Sequence, residues 1–261
     1  MTMTEAKTSS TYQLPGNPAV PVPMLGNLLY DERGKEALAR LNEAFKGRNC
    51  IEDETQYQPG QPIALSNTPR NLFYHQFLQE TFGDMSVQSP VGMVRFWNSL
   101  LERNTTYADS NAVTIFPIQG PNEDLRKTVL QAFGKTATLI PLLVTGLKPV
   151  RANNDQGFTL ERTDYSAIQE APWLTKHDQR VEYDSKTRSL VPAQADEAGV
   201  QIYVPDDQSG LRGAYRYRGD LLGCRSDRLL YSDAGGRVPL VQDPKGRAEN
   251  LDSLVAALKA E

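Results

Sequence analysis

Two segments in the first half of the chain place apolar residues along one side of a helical repeat. The first follows Thr68-Pro69 and ends before Gly83, and the second follows Ser89-Pro90 and covers residues 93–101. A hydroxyl N-cap before a first-turn proline is typical of a helix start, and glycine is typical of a helix end. The pattern therefore predicts two amphipathic helices in this region.

Three other segments have the same periodicity. Residues 31–47 and 122–133 each read as a helix that ends at a glycine, and residues 251–258 repeat apolar side chains at i, i+3, i+4 and i+7. One apolar strand candidate, 112–118, lies between the helix that follows Ser89-Pro90 and the helix at 122–133. The first half of the chain is thus predicted to be mainly helical, and the chain is predicted to close with an amphipathic helix.

From residue 136 onward the pattern changes to short β-branched and apolar runs separated by turn residues. The stretch 153–198 is polar and gives only one strand signal. Strands are predicted at 138–150, 159–162, 199–204, 214–218, 228–232 and 238–241.

The sum of these elements predicts the α+β class, with a helical N-terminal half, an antiparallel β-rich C-terminal half and a closing amphipathic helix. We divide the chain into a proline-rich extended arm (1–30), a mainly helical region (31–134) and a β-rich region with the C-terminal helix (135–261). The latter two regions can also form a single domain.

The arm contains four closely spaced prolines, Pro15, Pro18, Pro21 and Pro23. Proline fixes φ and removes the amide donor, so this segment is predicted to be extended and to lack a sheet ladder. A proline-rich segment loses less conformational entropy on docking than a flexible one. These prolines are therefore candidate partner-binding residues.

The composition of the chain argues against some classes of protein. A formal net charge of −4 argues against coating nucleic acid with the whole surface, but it leaves room for a local basic patch. No apolar run approaches the roughly 20 residues that a membrane helix needs, and no secretory leader is recognised. We expect no membrane association and a cytoplasmic location. Cys50 and Cys224 have no motif spacing, and two free thiols are favoured over a disulfide.

Residues 212–228 concentrate arginine and tyrosine in this acidic chain. In a strand at 214–218, alternation would place the tyrosines on one face and the arginines on the other. Arginine contacts phosphate and tyrosine stacks on bases, so the run predicts a surface for single-stranded nucleic acid. The structural alternative is that the tyrosines face the core and the arginines face water. The candidate residues are Arg212, Tyr215, Arg216, Tyr217, Arg218, Arg225 and Arg228.

No catalytic residue, metal ligand or cofactor is assigned from the sequence. Gly134-Lys135-Thr136 lacks the upstream glycine of a phosphate-binding loop and is interpreted as a helix cap followed by a strand. The two histidines, His75 and His177, have no metal-ligand spacing, and Asp206-Asp207 is a natural turn.

Three functional hypotheses remain. The first is a non-enzymatic structural or binding subunit of a larger bacterial or phage macromolecular assembly, docking through the arm and a sheet surface to protein partners or to copies of itself. The second is an RNA- or single-stranded-DNA-binding protein that uses the arginine–tyrosine strand. The third is an enzyme of unrecognised class with a site around His177, Asp206 and Asp207.

Overall fold

The computed structural model describes residues 20–21, 32–45, 67–95, 107–154, 156–187, 189–194, 198–217, 221–231 and 236–242. Within these ranges the helices are α1 (Glu32–Phe45), α2 (Thr68–Phe82), α3 (Pro90–Arg95), α4 (Glu123–Ala132) and a short 3-10 helix (Pro172–Leu174). The strands are β1 (Val20–Pro21), β2 (Met85–Val87), β3 (Tyr107–Ile115), β4 (Leu142–Thr145), β5 (Lys148–Arg151), β6 (Phe158–Glu161), β7 (Ala167–Glu170), β8 (Arg180–Asp184), β9 (Ser189–Pro192), β10 (Val200–Tyr203), β11 (Leu211–Tyr217), β12 (Leu221–Ser226), β13 (Gly236–Arg237) and β14 (Leu240–Gln242).

Most of the strands belong to one curled, mixed sheet. Its strand order is β7-β4-β3-β11-β12-β10-β8-β9, and β13 adds to β3. Neighbouring strands are antiparallel except for two parallel pairs, β10 with β12 and β13 with β3.

The predicted fold class, α+β with a helical N-terminal half, is wrong. Strands account for 36% of the described residues and helices for 26%. The strand β3, from the half predicted to be helical, lies near the centre of the main sheet. The sequence predicts only the second half of this strand, within 112–118, because Asp109, Ser110 and Asn111 interrupt the apolar pattern of the first half, although all three are buried.

The centre of the main sheet is covered on both faces. On one face, Val113 and Ile115 of β3 pack with apolar residues of α2, α4 and the β5–β6 hairpin. On the other, Ala112 packs in a cluster with Met93 of α3 and Trp173 of the 3-10 helix. Burial on both faces makes this part of the sheet the core of the described structure.

A second sheet, with the order β1-β14-β2, packs beside α1 and α2. Leu41 of α1, Leu78 of α2 and Leu240 of β14 are buried in the same cluster. Pro21, one of the candidate partner-binding prolines, pairs with Val241 of β14. This part of the arm therefore does join a sheet ladder, within its own chain.

Several local predictions are confirmed. The helix at 68–82 ends at Gly83, which has φ 71°, and α3 starts at Pro90, with the Ser89 hydroxyl accepting the Gly92 amide at 3.2 Å. The cap of α2 is Asn67 instead of Thr68, since the Asn67 side chain accepts the Arg70 amide at 2.9 Å.

The strand predictions are mixed. Those at 112–118, 138–150, 159–162, 199–204, 214–218 and 238–241 overlap β3, β4 with β5, β6, β10, β11 and β14. The one at 228–232 is wrong, because the Tyr231 amide donates to the Arg228 carbonyl at 3.0 Å in a turn. The polar stretch 153–198 contains three unpredicted strands, β7, β8 and β9.

Some predictions fall outside the described residues, namely the closing helix at 251–258, most of the arm with Pro15, Pro18 and Pro23, and Cys50. Cys224 lies within them as a free, buried thiol. Among the helices that are described, none has both the length and the apolar character required to cross a bilayer.

The first histidine, His75, is a buried residue of α2 whose imidazole contacts β2 and β3. The Asn111 amide group lies 3.0 Å from its Nδ1, and the Asn111 backbone amide donates to the Gln88 carbonyl at 3.1 Å. Burial lowers the pKa of His75 from 6.5 to about 4, and a hydrogen bond to the Val87 backbone partly opposes this shift. The folded state therefore requires the neutral imidazole.

This requirement predicts acid sensitivity. Because the unfolded chain binds a proton near pH 6.5 and the folded chain only near pH 4, the stabilisation is complete above pH 6.5 and falls as the pH drops towards 4. The full effect is about 3 kcal/mol of unfolding free energy. Urea unfolding at a series of pH values should show this loss in the wild type and a smaller loss in His75→Gln. Equal losses in both proteins would contradict the assignment.

Candidate binding surface

The second half of β11, from Tyr215 onward, and the strands β12, β10 and β8 have one buried face and one more exposed face. Ile202 lies opposite Leu222, and both are buried in the cluster beside α3, so we call this the inner face. The residues between them alternate to the other side, which we call the outer face. The register across three strands there is Tyr203, Gly223 and Tyr215.

Gly223 separates two tyrosines on the outer face and allows the ring of one of them, Tyr215, to approach its backbone closely. A Cβ atom at this position would be 2.3 Å from Cζ of Tyr215, so the Tyr215 ring lies over the backbone of the glycine. An aromatic side chain that covers a glycine in a neighbouring strand shields the exposed backbone. The absence of a side chain at Gly223 thus leaves room for the half-buried Tyr215 ring.

Arg225 follows two positions later on the same face. Its guanidinium carbon is 5.1 Å from the centroid of the Tyr203 ring, a cation–π distance, and the His177 ring meets Tyr203 edge-on at 4.6 Å. Tyr217 lies on the same face as Tyr215, opposite Leu221, and is 47% exposed. We refer to the five side chains, His177, Tyr203, Tyr215, Tyr217 and Arg225, as the Tyr–Arg surface.

The environment of Tyr215 reflects this packing. Burial raises the pKa of its hydroxyl, while a hydrogen bond and the positive charge of Arg225 act in the opposite direction. Arg225 therefore contacts both tyrosines that flank Gly223, and its own side chain is exposed.

Arg212, the first of the predicted nucleic-acid-binding residues, has a structural role in the fold. It is 7% exposed, and its guanidinium donates to the carbonyls of Ser209 and Arg225 and to the carboxylate of Asp207 at 3.1 Å. A hydrogen bond from Ser209, followed by the charge of Arg212, holds the pKa of Asp207 below its usual range. Arg212 therefore links the 205–209 loop to β12 through hydrogen bonds. Few N–H groups of its guanidinium remain for a ligand.

Three other predicted arginines, Arg216, Arg218 and Arg228, are not placed on the outer face by the described structure. Arg216 lies opposite Ala108 and Leu222, on the inner face, and Arg228 is exposed in the turn after β12. Arg218 lies outside the described residues. Of the seven predicted residues, Tyr215, Tyr217 and Arg225 therefore come together on the outer face.

Two members of the surface, Tyr203 and His177, are missing from the sequence-based list. The predicted strand at 199–204 contains Tyr203, but its position beside Tyr215 depends on β12 lying between β10 and β11. His177 is fixed next to it because its Nδ1 donates to the Val204 carbonyl at 2.8 Å. Neither neighbour can be deduced from local spacing, since both depend on strand order.

The residues of the enzymatic hypothesis come only partly together. Nδ1 of His177 is 3.9 Å from Asp206, whose side chain is 95% exposed, and Nε2 is 3.3 Å from Asp178. Asp207 is engaged by Arg212 and Ser209. No group of three or more histidine, cysteine, aspartate or glutamate side chains within the described ranges is arranged to hold a metal ion. Gly134 has φ 69° at the end of α4, as a helix cap requires.

The two arginines that meet at β12 should respond differently to truncation. Arg212→Ala leaves buried carbonyls without donors and should lower the unfolding free energy by about 2–3 kcal/mol. Arg225→Ala, the matched control on the exposed side, should cost less than about 1 kcal/mol. Chemical denaturation of both variants measures the difference. A small loss for Arg212→Ala would refute its role as an internal clamp.

Comparisons with known proteins add no relative. No protein-family model matches the chain, and neither a curated protein nor a solved structure is significantly similar to it.

Proposed function

We propose that this chain is a non-enzymatic binding subunit of a larger macromolecular assembly and that it holds a protein partner on the Tyr–Arg surface. The observation that supports the proposal is the arrangement around Gly223, where Arg225 contacts both flanking tyrosines on an open sheet face. We place this activity in the cytoplasm, in keeping with the sequence.

Tyrosine and arginine are the residue types that protein interfaces favour. They provide large contact areas with polar ends, and together with tryptophan they account for most binding hot spots. In the Tyr–Arg surface their side chains are held by mutual contacts, since Arg225 packs on Tyr203 and Tyr215 covers Gly223. Such pre-ordering reduces the entropy that is lost on binding.

The charges around the surface favour a protein over a polyanion. Arg212 is neutralised by Asp207, Arg216 lies on the inner face, and two aspartates, Asp178 and Asp206, lie within 4 Å of His177. These carboxylates lie beside His177, which contacts the same Tyr203 ring as Arg225, and they would repel a phosphate backbone. A partner with a mixed, partly basic contact patch fits this distribution of charge.

The test is quantitative affinity purification of the tagged full-length protein from cells of its own source. The double variant Tyr217→Ala/Arg225→Ala removes two hot-spot types from the surface, so the recovery of its main protein partner should fall at least about tenfold. The matched control is Tyr231→Ala/Arg228→Ala, which removes the same two residue types from the exposed turn after β12. The control should retain the partner, and equal recovery with both variants would reject the surface as the docking site.

Single-stranded nucleic acid is a second candidate, favoured by one observation. A guanidinium stacked on a tyrosine ring, as Arg225 is on Tyr203, can contact phosphate while a neighbouring ring takes a base.

Fluorescence anisotropy with a labelled RNA oligonucleotide over a range of salt concentrations tests this second candidate. Each phosphate contact contributes about 0.7 to the slope of log K against log salt, so Arg225→Ala should flatten the slope by about that amount. Arg228→Ala is the matched control. Binding that is absent, or that does not depend on salt, would eliminate this candidate.

A further inference from the structure

The main sheet ends at β7, and this edge differs from the opposite edge. Both β7 and β9 are edge strands of the described sheet, and both have four residues, so length does not distinguish them. The strand β9 ends in Pro192, and proline on an edge discourages further pairing. In contrast, β7 reads Ala-Ile-Gln-Glu and has neither a proline, a lysine nor a bulge.

Hydrogen bonding defines which residues of β7 direct their backbone groups outward. The Ala171 amide donates to the Pro141 carbonyl at 2.8 Å, and this pair continues the antiparallel register of β7 with β4. In an antiparallel ladder, every second residue bonds to the same neighbour. Ala167, Gln169 and Ala171 therefore face β4, while Ile168 and Glu170 present their N–H and C=O groups at the open edge.

Both ends of β7 are fixed by polar contacts. Before the strand, the hydroxyls of Thr163 and Ser166 each donate to the Gly146 carbonyl at 2.7 Å. After it, the bond between Ala171 and Pro141 holds the chain against the sheet. An edge that is already ordered loses little entropy when a further strand adds to it.

Exposed apolar side chains flank this edge. At the end near Ala171, the loop before β4 carries Leu139, which is 95% exposed, and Ile140, which is 36% exposed. At the other end, Tyr165 is 36% exposed. Exposed large apolar side chains beside an open strand edge favour an interaction site.

We propose that two copies of this chain associate through antiparallel pairing of β7 with β7 of the second copy. Pairing Ile168 with Glu170 of the other copy matches the outward N–H and C=O groups of both residues across a two-fold axis. This register avoids placing the two Glu170 carboxylates directly opposite each other, which would be destabilising.

The same two-fold arrangement accounts for the exposed apolar groups. Because the paired strands are antiparallel, the Leu139–Ile140 end of one copy meets the Tyr165 end of the other. Backbone bonds over a short strand contribute little by themselves, and burial of these side chains supplies the additional stabilisation. A second copy would thus bury the exposed apolar side chains at both ends of β7 in one contact.

This inference goes beyond the proposed function and does not depend on it. In the strand order, β7 is separated from β11 by β4 and β3, and the Tyr–Arg surface lies on β11, β12 and β10. Pairing at β7 leaves that surface open, so either proposal can fail without the other.

The experiment is sedimentation velocity on the full chain at protein concentrations from about 1 to about 100 µM. The wild type should shift towards twice the 29.0 kDa mass of one chain as the concentration rises. Glu170→Pro removes an outward amide donor without breaking the ladder to β4, so it should remain monomeric. Glu170→Ala, which keeps the amide, is the matched control and should dimerise as the wild type does.

A wild type that stays monomeric at the highest concentration would overturn the proposal, and so would a Glu170→Pro variant that dimerises normally. Thermal unfolding followed by circular dichroism establishes whether each variant is folded. If Glu170→Pro does not fold, Leu139→Asp decides the question. This side chain is almost fully exposed, so its replacement should spare the fold and raise the dissociation constant at least about tenfold. An unchanged dissociation constant for Leu139→Asp would count against the pairing.

Discussion

The described structure depends on β3, a strand in which both the apolar and the polar side chains from residue 108 to residue 115 are buried. The strand β11 pairs with it from Ile115 to Tyr107, while β4 and β13 share its other edge. Its buried polar residues bond to distant parts of the chain: the Ser110 hydroxyl donates to the Ala214 carbonyl, and Asn111 contacts Gln88 through its backbone amide and His75 through its side-chain amide. An unpaired polar group at this depth would cost about 1–3 kcal/mol, so these bonds determine the position of α2 and β2 as well as the sheet.

The pairing of β3 with β11 is interrupted by a bulge between Gly213 and Tyr215, and this irregularity shapes the binding surface. A Cβ on Gly213 would be 2.4 Å from the Thr68 hydroxyl, so the start of α2 packs directly on the backbone of β11. Beyond the bulge, Tyr215 faces away from the inner cluster and lies over Gly223. The two glycines thus allow different close contacts: Gly213 allows the start of α2 to pack on β11, and Gly223 allows the Tyr215 ring to pack on β12.

Local features of the fold could be predicted from the sequence, whereas the sheet could not. Helix limits such as Gly83 and Ser89-Pro90 depend on neighbouring residues, and the alternation of Tyr215, Arg216 and Tyr217 depends on strand geometry alone. The central position of β3 was missed because its buried polar residues bond to partners far away in sequence. The same limit applies to Arg212 and Arg225, whose buried and exposed roles are decided by a loop and a strand order that composition does not reveal.

The pairing of Val20–Pro21 with β14 has a consequence for how the chain assembles. Because Val20 pairs with Gln242, this contact closes a loop of nearly the whole chain, and contacts of such high sequence separation form slowly. Loop closure over this length is unfavourable until β2 and α2 have already positioned β14. We therefore regard the pairing of β1 with β14 as the last contact of this small sheet to form and the first to open.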